Sequence, residues 1–520
     1  MSDNGKKYDA VIIGAGPGGL SAGLSLARSG LKVLIAEKNG KPGGNCTCWT
    51  AGGYTFDLAV HQLSGIGGGG MCGGVLEEYG IADKLEFRQV DPFLVVDMPD
   101  RSYKLPGNRA GLRAELVKDF PEDTADIDRM LDGLDTLKSD ALISQRLLHG
   151  ANPVVKGMLA RTVGWGKLAS FPFTFPWGLA LRMPFNADFM LGRWIKNPKL
   201  RAVIHASWVY LGLPPSRISG VMMDIFVAMQ HIEHSYYPVG GSQKLADAMA
   251  AAFRGLGGEL LLDSPVAKII SENGRARGVE LAGGGKIISD LVISNADARH
   301  TYGLLGLGQV PARFTRKLAK MSVSLAPFRV CLGLDYDVSK NGLEEHEYML
   351  FRDYDHDANY ADMLRGDPGA ISVYSPAKIS PELAPPGHST LVLTTMVPWR
   401  PEKDWRGRGE ELAAELIAAV EKKRLPGLSK RIVVKQIMTP EDLERRTNSC
   451  EGAMYGWANT PDQVLMRRMP MRSPVKGLYH VGHWTYLGTG VTTAIISGWM
   501  LGNRLARRNT LAGRIMDRVL

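Results

Sequence analysis

A cluster of glycines near the start of the chain carries the first chemical signal. Six consecutive residues, Gly14-Ala15-Gly16-Pro17-Gly18-Gly19, satisfy the spacing G-x-G-x-x-G, in which each glycine allows a tight turn or a close approach of the backbone. Glu37 follows roughly 20 residues later, where a carboxylate can accept hydrogen bonds from ribose hydroxyls and repel a 2′-phosphate. The pattern predicts a dinucleotide site at Gly14, Ala15, Gly16, Gly18, Gly19 and Glu37.

The residues around these glycines predict the elements that such a site requires. Residues 8–13 are apolar and β-branched and predict a buried strand that runs directly into the glycine turn. Residues 20–29 have helical periodicity, and residues 32–36 predict a second strand that ends on Glu37. The N-terminus of the helix would offer free N–H groups and a partial positive charge to a pyrophosphate. The order of strand, turn, helix and strand predicts a Rossmann-type unit in an α/β fold.

A second glycine pair follows the acid and points to FAD. Lys38 comes directly after Glu37, and Gly43-Gly44-Asn45 follows a few residues later. This stretch resembles the second signature of two-dinucleotide-binding-domain flavoproteins, in which paired glycines let the backbone cross the cofactor closely. That family usually has Arg where this chain has Asn45. The resemblance adds Lys38, Gly43, Gly44 and Asn45 to the expected FAD-binding residues.

Motifs along most of the chain resemble the phytoene desaturase superfamily, which also contains carotenoid isomerases and retinol saturases. The motifs lie at residues 237–242, 259–270, 292–297, 477–482 and 488–491. Similarity of motif order runs from Tyr8 to about Leu505 and is weakest between residues 106 and 231. The resemblance implies that the backbone of Val266 holds the adenine side of FAD. It also implies that Gly482, Gly490, Val491 and Thr492 reach the flavin ring and its ribityl chain.

The same resemblance implies a discontinuous FAD-binding domain. Residues 1–70, 235–300 and 475–510 would assemble it, and residues 71–234 and 301–474 would form an α+β substrate domain. Within the substrate domain, residues 324–335 and 389–395 predict strands because they are apolar and continuous.

His61 is the leading candidate for a catalytic polar group near the flavin. It follows the run Phe56-Asp57-Leu58-Ala59-Val60, at a place where many desaturases have Gly-Pro-Thr. A histidine there looks more like the saturase branch and favours saturation or isomerisation. The alternative is a structural histidine with satisfied hydrogen bonds. His483, Trp484 and Tyr486 are expected to face the flavin ring, with packing as their alternative role.

Composition and charge indicate which cellular compartment and which binding partners are to be expected. The chain has 520 residues, a formal net charge of +9 and five scattered cysteines, which indicate no disulfide framework and favour a reducing cytoplasm. No nucleic-acid-binding signature accompanies the basic charge. Residues 154–213 mix large aromatic side chains with Lys and Arg, and they predict a membrane-facing helical segment, with a helical cap on the substrate domain as the alternative. No apolar run is long enough to span a membrane.

These observations predict an FAD-dependent oxidoreductase. The resemblance implies that it acts on carbon–carbon bonds of a hydrophobic polyene or isoprenoid, carotenoid- or retinoid-like, by desaturation, saturation or isomerisation. Desaturation would require an electron acceptor such as a quinone or oxygen. The alternatives are an enzyme like the flavin amine oxidases and a non-catalytic flavin-binding partner protein. His231 and His234 have the spacing of metal ligands but lack a third ligand nearby, so no metal is expected; the oligomeric state stays open.

Overall fold

A parallel sheet carries the glycine turn. The computed structural model describes residues 6–67, 70–148, 182–232, 234–399 and 405–507. All neighbouring strands of the sheet pair in parallel, and every residue of its central strands is buried, as expected when helices cover both faces. The strand order across the sheet is Glu259–Leu261, Val33–Ala36, Ala10–Ile13, Val292–Ser294 and Leu478–His480.

The first and last described helices pack against each other on this sheet. A Cβ added at Gly498 in the helix Val491–Ala506 would lie 2.1 Å from the carbonyl oxygen of Gly18 in the helix Pro17–Arg28. Ser21 Oγ also donates a hydrogen bond of 2.6 Å to the carbonyl oxygen of Ile495. The helix axes can approach this closely only because Gly498 has no side chain.

The second large sheet has seven strands and is mixed. Its neighbours pair antiparallel except Glu347–Phe351 and Leu94–Asp97, which pair in parallel. The two strands that the sequence predicted here are confirmed with slightly different bounds, at Ala326–Leu334 and Ser389–Val397. The strand order is Ile432–Met438, Ala326–Leu334, Ser389–Val397, Ala370–Tyr374, Glu347–Phe351, Leu94–Asp97 and Ser102–Leu105.

Three smaller sheets and the helices complete the described fold. The four-stranded sheet has the order Lys6–Lys7, Lys286–Ile288, Arg275–Leu281 and Val266–Glu272. The three-stranded sheet has the order Leu63–Ser64, Ser235–Pro238 and Phe87–Val90, and Cys48–Ala51 pairs with Tyr54–Asp57. The remaining α-helices are Met71–Glu78, Arg109–Asp119, Thr124–Leu148, Ala187–Gly192, Pro198–His205, Gly220–Ile232, Gln243–Gly255, Ala298–Leu305, Ala312–Lys320, His356–Leu364, Trp405–Lys423 and Pro440–Thr447.

The architecture confirms the predicted α/β class. Separate apolar cores lie against the parallel sheet and against the seven-stranded sheet. The strands of the parallel sheet come from residues 10–36, 259–294 and 478–480. The exact domain boundaries at residues 1–70, 235–300 and 475–510 stay a prediction.

The predicted membrane-facing segment at residues 154–213 lies partly outside the described residues, because the description resumes at residue 182. In the described part, Trp208 and Ile204 belong to the core, whereas Phe185 and Phe189 are exposed and stack at 4.3 Å. Within the described ranges, we find no helix with the length and apolarity that crossing a bilayer demands.

Candidate functional site

A cavity of about 500 Å³ lies between the two large sheets. Its wall includes residues at or just beyond the carboxyl ends of four parallel strands, namely Ile13, Ala36, Asn295 and Gly482. Ligands of open α/β sheets bind in the crevice beyond these strand ends. The position of the cavity therefore matches the place where the topology leaves room for a ligand.

The first glycine turn forms one wall of the cavity. Gly14 has a φ of +92°, and a Cβ at Gly19 would lie 2.1 Å from the carbonyl oxygen of Gly14. Gly14 and Gly16 line the cavity, whereas Ala15, Gly18 and Gly19 lie behind them and shape the turn. No side chain caps the helix Pro17–Arg28 at Gly16. The N–H groups of its first turn are therefore left for a ligand.

Glu37 is buried beside this turn and lines the cavity. Its Oε2 accepts a hydrogen bond of 2.8 Å from the backbone N–H of Ala15, and its Oε1 accepts one of 2.9 Å from that of Asn39. A carboxylate has about four lone-pair positions, so Glu37 keeps capacity for ribose hydroxyls. The glycine turn itself holds this carboxylate in place.

The second glycine pair packs directly on the first turn. The N–H of Gly43 donates to the carbonyl oxygen of Ala15 at 2.9 Å, and a Cβ at Gly44 would lie 3.4 Å from the Cα of Gly16. Gly44 and Asn45 line the cavity. Asn45 Oδ1 is buried and has no hydrogen-bond partner among the described residues. This stretch therefore leaves an unused buried acceptor next to the glycines.

Lys38 also lines the cavity, but the C-terminal end of the helix Pro440–Thr447 and its capping residue Asn448 engage the ammonium group. Lys38 Nζ donates to the carbonyl oxygen of Arg445 at 2.7 Å and to the side chain of Asn448. Burial lowers the pKa of Lys38, against the nearby charge of Glu37. The structure thus gives this predicted cofactor residue a bridging role between two wall segments.

The last helix contributes a second uncapped N-terminus. Gly490 has a φ of +113°, and no side chain caps the helix Val491–Ala506 there. Gly490, Val491 and Gly482 line the cavity, and the N–H of Gly482 donates to Ser497 Oγ at 2.7 Å. Thr492 is buried and does not line the cavity. Two helix N-termini therefore meet one cavity, and both favour negative charge there.

These residues fit FAD. In the cavity wall, Gly16 packs against Asn295 and Gly44 packs against Gly16, and a Cβ at Gly16 would lie 2.6 Å from Asn295 Nδ2. The uncapped helix suits an anionic pyrophosphate, and Glu37 suits the ribose hydroxyls. Val266 lines the same cavity with Pro265, beside Glu37. The hydrogen-bond donors and acceptors of the cavity wall thus match the acceptors and donors of FAD.

The part of the cavity away from the glycine turns is aromatic and apolar. The rings of Phe93, Tyr210 and Phe226 contact one another at centroid distances of 5.8, 5.9 and 6.4 Å. Leu211, Met454 and Tyr455 extend this wall, and His61, Gln62 and Gln230 add polar side chains to the cavity lining. Among the described residues, no Asp or Glu lines this aromatic end; the carboxylates of the cavity wall, Glu37 and Asp297, lie near the glycine turns.

His61 lies in the cavity wall between the aromatic end and a buried charged cluster. His61 Nδ1 lies 2.7 Å from Oε1 of Glu347, whose side chain is completely buried. Arg329, also completely buried, donates from Nη2 to His61 Nε2 and from Nη1 to the carbonyl oxygen of Leu58 at 2.6 Å. The ring of Tyr374 stacks on His61 at 4.0 Å. Every polar atom of the imidazole therefore has a partner.

The chemistry of the partners fixes the tautomer of His61. A guanidinium has no acceptor, so Nε2 must accept from Arg329 and the proton must reside on Nδ1, facing Glu347. Burial lowers the pKa of His61, against the charge of Glu347. Burial alone would raise the pKa of Glu347, but the contact with His61 holds it below its ordinary value. The cluster therefore consists of the Arg329 cation, the neutral His61 ring and the Glu347 anion, arranged in that order in space.

Other predicted positions have mixed outcomes. His483 and Trp484 line the cavity as expected, but Tyr486 does not. His231 Nδ1 donates to the carbonyl oxygen of Pro106 at 2.9 Å, and no group of three His, Cys, Asp or Glu within the described ranges could hold a metal ion.

Three site residues were not predicted. Asn295 lies under the glycine turn, where a Cβ at Gly16 would meet its Nδ2 at 2.6 Å. Arg329 and Glu347 form the charged cluster behind His61. For Arg329 and Glu347 the available signal was a charged residue within, or at the start of, an otherwise apolar strand, in APFRVCLGL and EYMLF respectively.

Comparisons with known proteins agree with this site. Residues 17–501 match the family described as flavin containing amine oxidoreductase. The chain is 29% identical to a chloroplastic prolycopene isomerase of Daucus carota, covering 96% of this chain and 80% of the relative. It is 27% identical to a neurosporene-forming phytoene desaturase of Rhodobacter capsulatus, covering 95% and 93%.

Solved structures show the same fold at low identity. An oxidoreductase from Methanosarcina mazei matches with a TM-score of 0.63 and 18% identity, covering 95% of this chain and 99% of that one. A putrescine oxidase bound to putrescine matches with a TM-score of 0.62 and 16% identity, covering 96% and 99%. The chain belongs to the flavin-containing amine oxidoreductase family and is an FAD-dependent oxidoreductase.

Proposed function

We propose that this enzyme acts on carbon–carbon bonds of a hydrophobic polyene or isoprenoid, carotenoid- or retinoid-like, by desaturation, saturation or isomerisation. The observation that carries the proposal is the aromatic end of the cavity, formed by Phe93, Tyr210 and Phe226 and continuous with the glycine turns. An apolar chain is stabilised in such a wall because its transfer out of water is favourable. The similarity to a prolycopene isomerase and a phytoene desaturase supports this class of substrate.

The family also includes amine oxidases, and the lining of the cavity argues against an amine substrate. An amine is a cation at neutral pH, and a buried cation requires a paired charge or strong hydrogen bonds. The described lining of the aromatic end contains no Asp or Glu, and Glu347 behind it is engaged by His61 and Ser372. A polyene needs no such counter-charge, so we favour it.

The protein's own residues would orient the substrate and exclude water. FAD, when bound, supplies reversible hydride acceptance. The aromatic wall would hold the polyene in extended form, and the two helix N-termini at Gly16 and Gly490 would favour negative charge at the cofactor. His61 would act as a neutral ring that positions Arg329 and Glu347 in the cavity wall, because its Nδ1 proton is donated to Glu347 and its Nε2 lone pair already accepts from Arg329.

The three reactions need different partners. A desaturase passes electrons on to an acceptor, for which we propose a quinone or oxygen; a saturase requires a donor, and an isomerase requires reduced cofactor without net turnover. We place the enzyme in the cytoplasm with peripheral contact to a membrane, from which a hydrophobic isoprenoid could be taken up.

Anaerobic mixing experiments test the proposal. The purified protein should show the absorbance of bound flavin, and phytoene, lycopene isomers, retinol and, as a control, putrescine are then added. Bleaching by a polyene indicates desaturation, reoxidation of prereduced protein by a polyene indicates saturation, and a changed isomer ratio without net oxidation indicates isomerisation. If putrescine bleaches the flavin and none of the polyenes or retinol does, the enzyme is an amine oxidase and the proposal is wrong. Bound flavin that responds to none of these compounds would favour a non-catalytic flavin-binding protein.

A further inference from the structure

One face of the helix Ala312–Lys320 is strongly basic. Arg313, Arg316, Lys317 and Lys320 are exposed and follow the spacing that places side chains on one side of a helix. Leu318 is buried on the other side, in the core that covers the parallel sheet. The helix is therefore amphipathic, with its cationic face toward solvent.

A neighbouring turn completes a concave surface with this helix. The concavity has a volume of about 390 Å³ and is lined by Arg313, Arg316, Lys317, Lys320, Met321, Asp462, Gln463 and Arg467. Met466, next to Arg467 in the turn Leu465–Arg467, is 72% exposed, more than any other large apolar side chain in the described ranges. We call this surface, together with Met466, the basic concavity.

The basic concavity carries an excess of positive charge. Five cations face one carboxylate, Asp462, and none of the five forms an ion pair within the described part of the chain. Lys317 Nζ and Arg467 Nη1 contact only backbone carbonyl oxygens, at 3.4 Å from Arg468 and 3.0 Å from Pro461. By contrast, Arg113 on the helix Arg109–Asp119 pairs with Asp128 at 2.6 Å. An excess of cations on one face attracts an anionic partner.

We propose that the basic concavity docks the enzyme on anionic phospholipid. Headgroup phosphates would occupy the concavity, and Met466 would enter the boundary between headgroups and acyl chains. Cations beside an exposed apolar side chain are the pattern of an interfacial segment on anionic lipid. Nucleic acid would also attract the cations, but it offers no apolar layer for Met466.

This surface is connected to the cavity wall. Arg468 follows Arg467 directly, is fully buried and donates to Asn459 Oδ1 at 2.8 Å and to the carbonyl oxygen of His483 at 3.3 Å. His483 lines the cavity. The side chain of Arg468 therefore links the docking surface to the cavity wall, so docking would fix the orientation of the cavity relative to the bilayer. The proposal does not depend on the identity of the substrate.

Vesicle co-sedimentation of the FAD-loaded full-length protein tests the proposal. We expect binding to vesicles of phosphatidylcholine with phosphatidylglycerol, weakening with added salt, and little binding to phosphatidylcholine alone. The double variant Arg316→Glu/Lys320→Glu should lower the partition coefficient at least about 30-fold, which corresponds to about 2 kcal/mol, since each cation near an anionic bilayer contributes about 1 kcal/mol. Met466→Ser should weaken binding and leave its salt dependence unchanged.

A charge-matched control separates this surface from bulk charge. Lys286 and Lys430 are exposed and lie in the strand Lys286–Ile288 and the turn Leu428–Arg431. The variant Lys286→Glu/Lys430→Glu has the same net charge as Arg316→Glu/Lys320→Glu. We expect it to bind vesicles nearly as well as the unaltered protein does. Flavin absorbance and unfolding temperature, measured for all variants, report whether the fold is intact.

Four outcomes would overturn the proposal. The first two are equal binding to neutral and anionic vesicles, and equal losses of vesicle binding in the two double variants. The third is unchanged vesicle binding by Arg316→Glu/Lys320→Glu. The fourth is a protein that does not bind vesicles but binds duplex DNA or inorganic phosphate, with this binding lost in Arg316→Glu/Lys320→Glu. Because no substrate is added, a negative result leaves the proposed reaction untouched.

Discussion

The side chains of His61 and Glu347 are joined by a hydrogen bond of 2.7 Å although 286 residues separate them in the chain. Arg329 donates a hydrogen bond to Nε2, the other nitrogen of the same ring. The carboxylate and the guanidinium are both fully buried, so each depends on the imidazole between them for part of its compensation. The geometry of this wall of the cavity therefore depends on three residues together.

Replacing the carboxylate should destabilise the protein. In Glu347→Gln the amide can still accept from His61 Nδ1, but it no longer balances the buried charge of Arg329. We expect a loss of roughly 3 kcal/mol in the free energy of unfolding, since breaking a buried pair typically costs about 3–5 kcal/mol. Chemical denaturation measures it. Glu410→Gln, which removes the partner of exposed Lys435, should cost under about 1 kcal/mol. Equal losses in the two variants would contradict the role given to the cluster.

His61 should make stability depend on pH. Burial lowers its pKa, so the folded protein holds the ring neutral, while the unfolded chain binds a proton once the pH falls below the ordinary histidine value of 6.5. The unfolded state then binds more protons, and the stability that this residue contributes is lost as the pH falls through that range. We expect His61→Asn to reduce the difference in unfolding free energy between about pH 7 and pH 5. An unchanged difference would show that the ring takes up its proton over the same pH range in the folded and unfolded states.

A methyl group in the first glycine turn should impair FAD binding. The Cβ of Gly19→Ala would lie 2.1 Å from the backbone oxygen of Gly14, so the turn must change shape. We expect the affinity for FAD to fall at least about tenfold, equivalent to about 1.4 kcal/mol. Titration of the apoprotein by flavin fluorescence measures it. Gly303→Ala adds a methyl group in open space within the helix Ala298–Leu305 and should leave FAD affinity unchanged. Similar affinities in both variants would contradict a cofactor role for the turn.

Asp224 should weaken the fold at alkaline pH. It lies in the helix Gly220–Ile232, and its Oδ2 is buried without a partner among the described residues. Burial raises the pKa of Asp224 to about 7, partly offset by Arg182 and Arg193. The folded state then holds a proton that the unfolded state has lost, so stability falls as the pH rises toward and through about 7. Asp224→Asn should raise the unfolding temperature at about pH 8 and change it little at about pH 5. The same shift at both pH values would exclude titration of this carboxyl as the cause.

The sequence predicted the local parts of the site because their geometry requires particular residues. Gly14 adopts a φ of +92°, and the G-x-G-x-x-G spacing indicates this turn. The second turn, in which Gly44 lies against Gly16, was expected from its resemblance to a flavoprotein signature. The contact between Asn295 and the first turn depends on the order of strands in the sheet, which spacing does not contain. Arg329 and Glu347 meet His61 through pairings 268 and 286 residues apart, and no local pattern determines such distances.

The contact between the first and last helices also has a consequence for biosynthesis. Ser21 and Ile495 form their hydrogen bond across 474 residues. At a translation rate of about 5–20 residues per second, the nascent glycine turn waits roughly 25–95 s before its partner helix emerges from the ribosome. Until then the parallel sheet lacks the edge strand Leu478–His480 and exposes apolar surface. We therefore expect the cofactor to bind late in synthesis, and the unfinished sheet to be the stage at which a chaperone is needed.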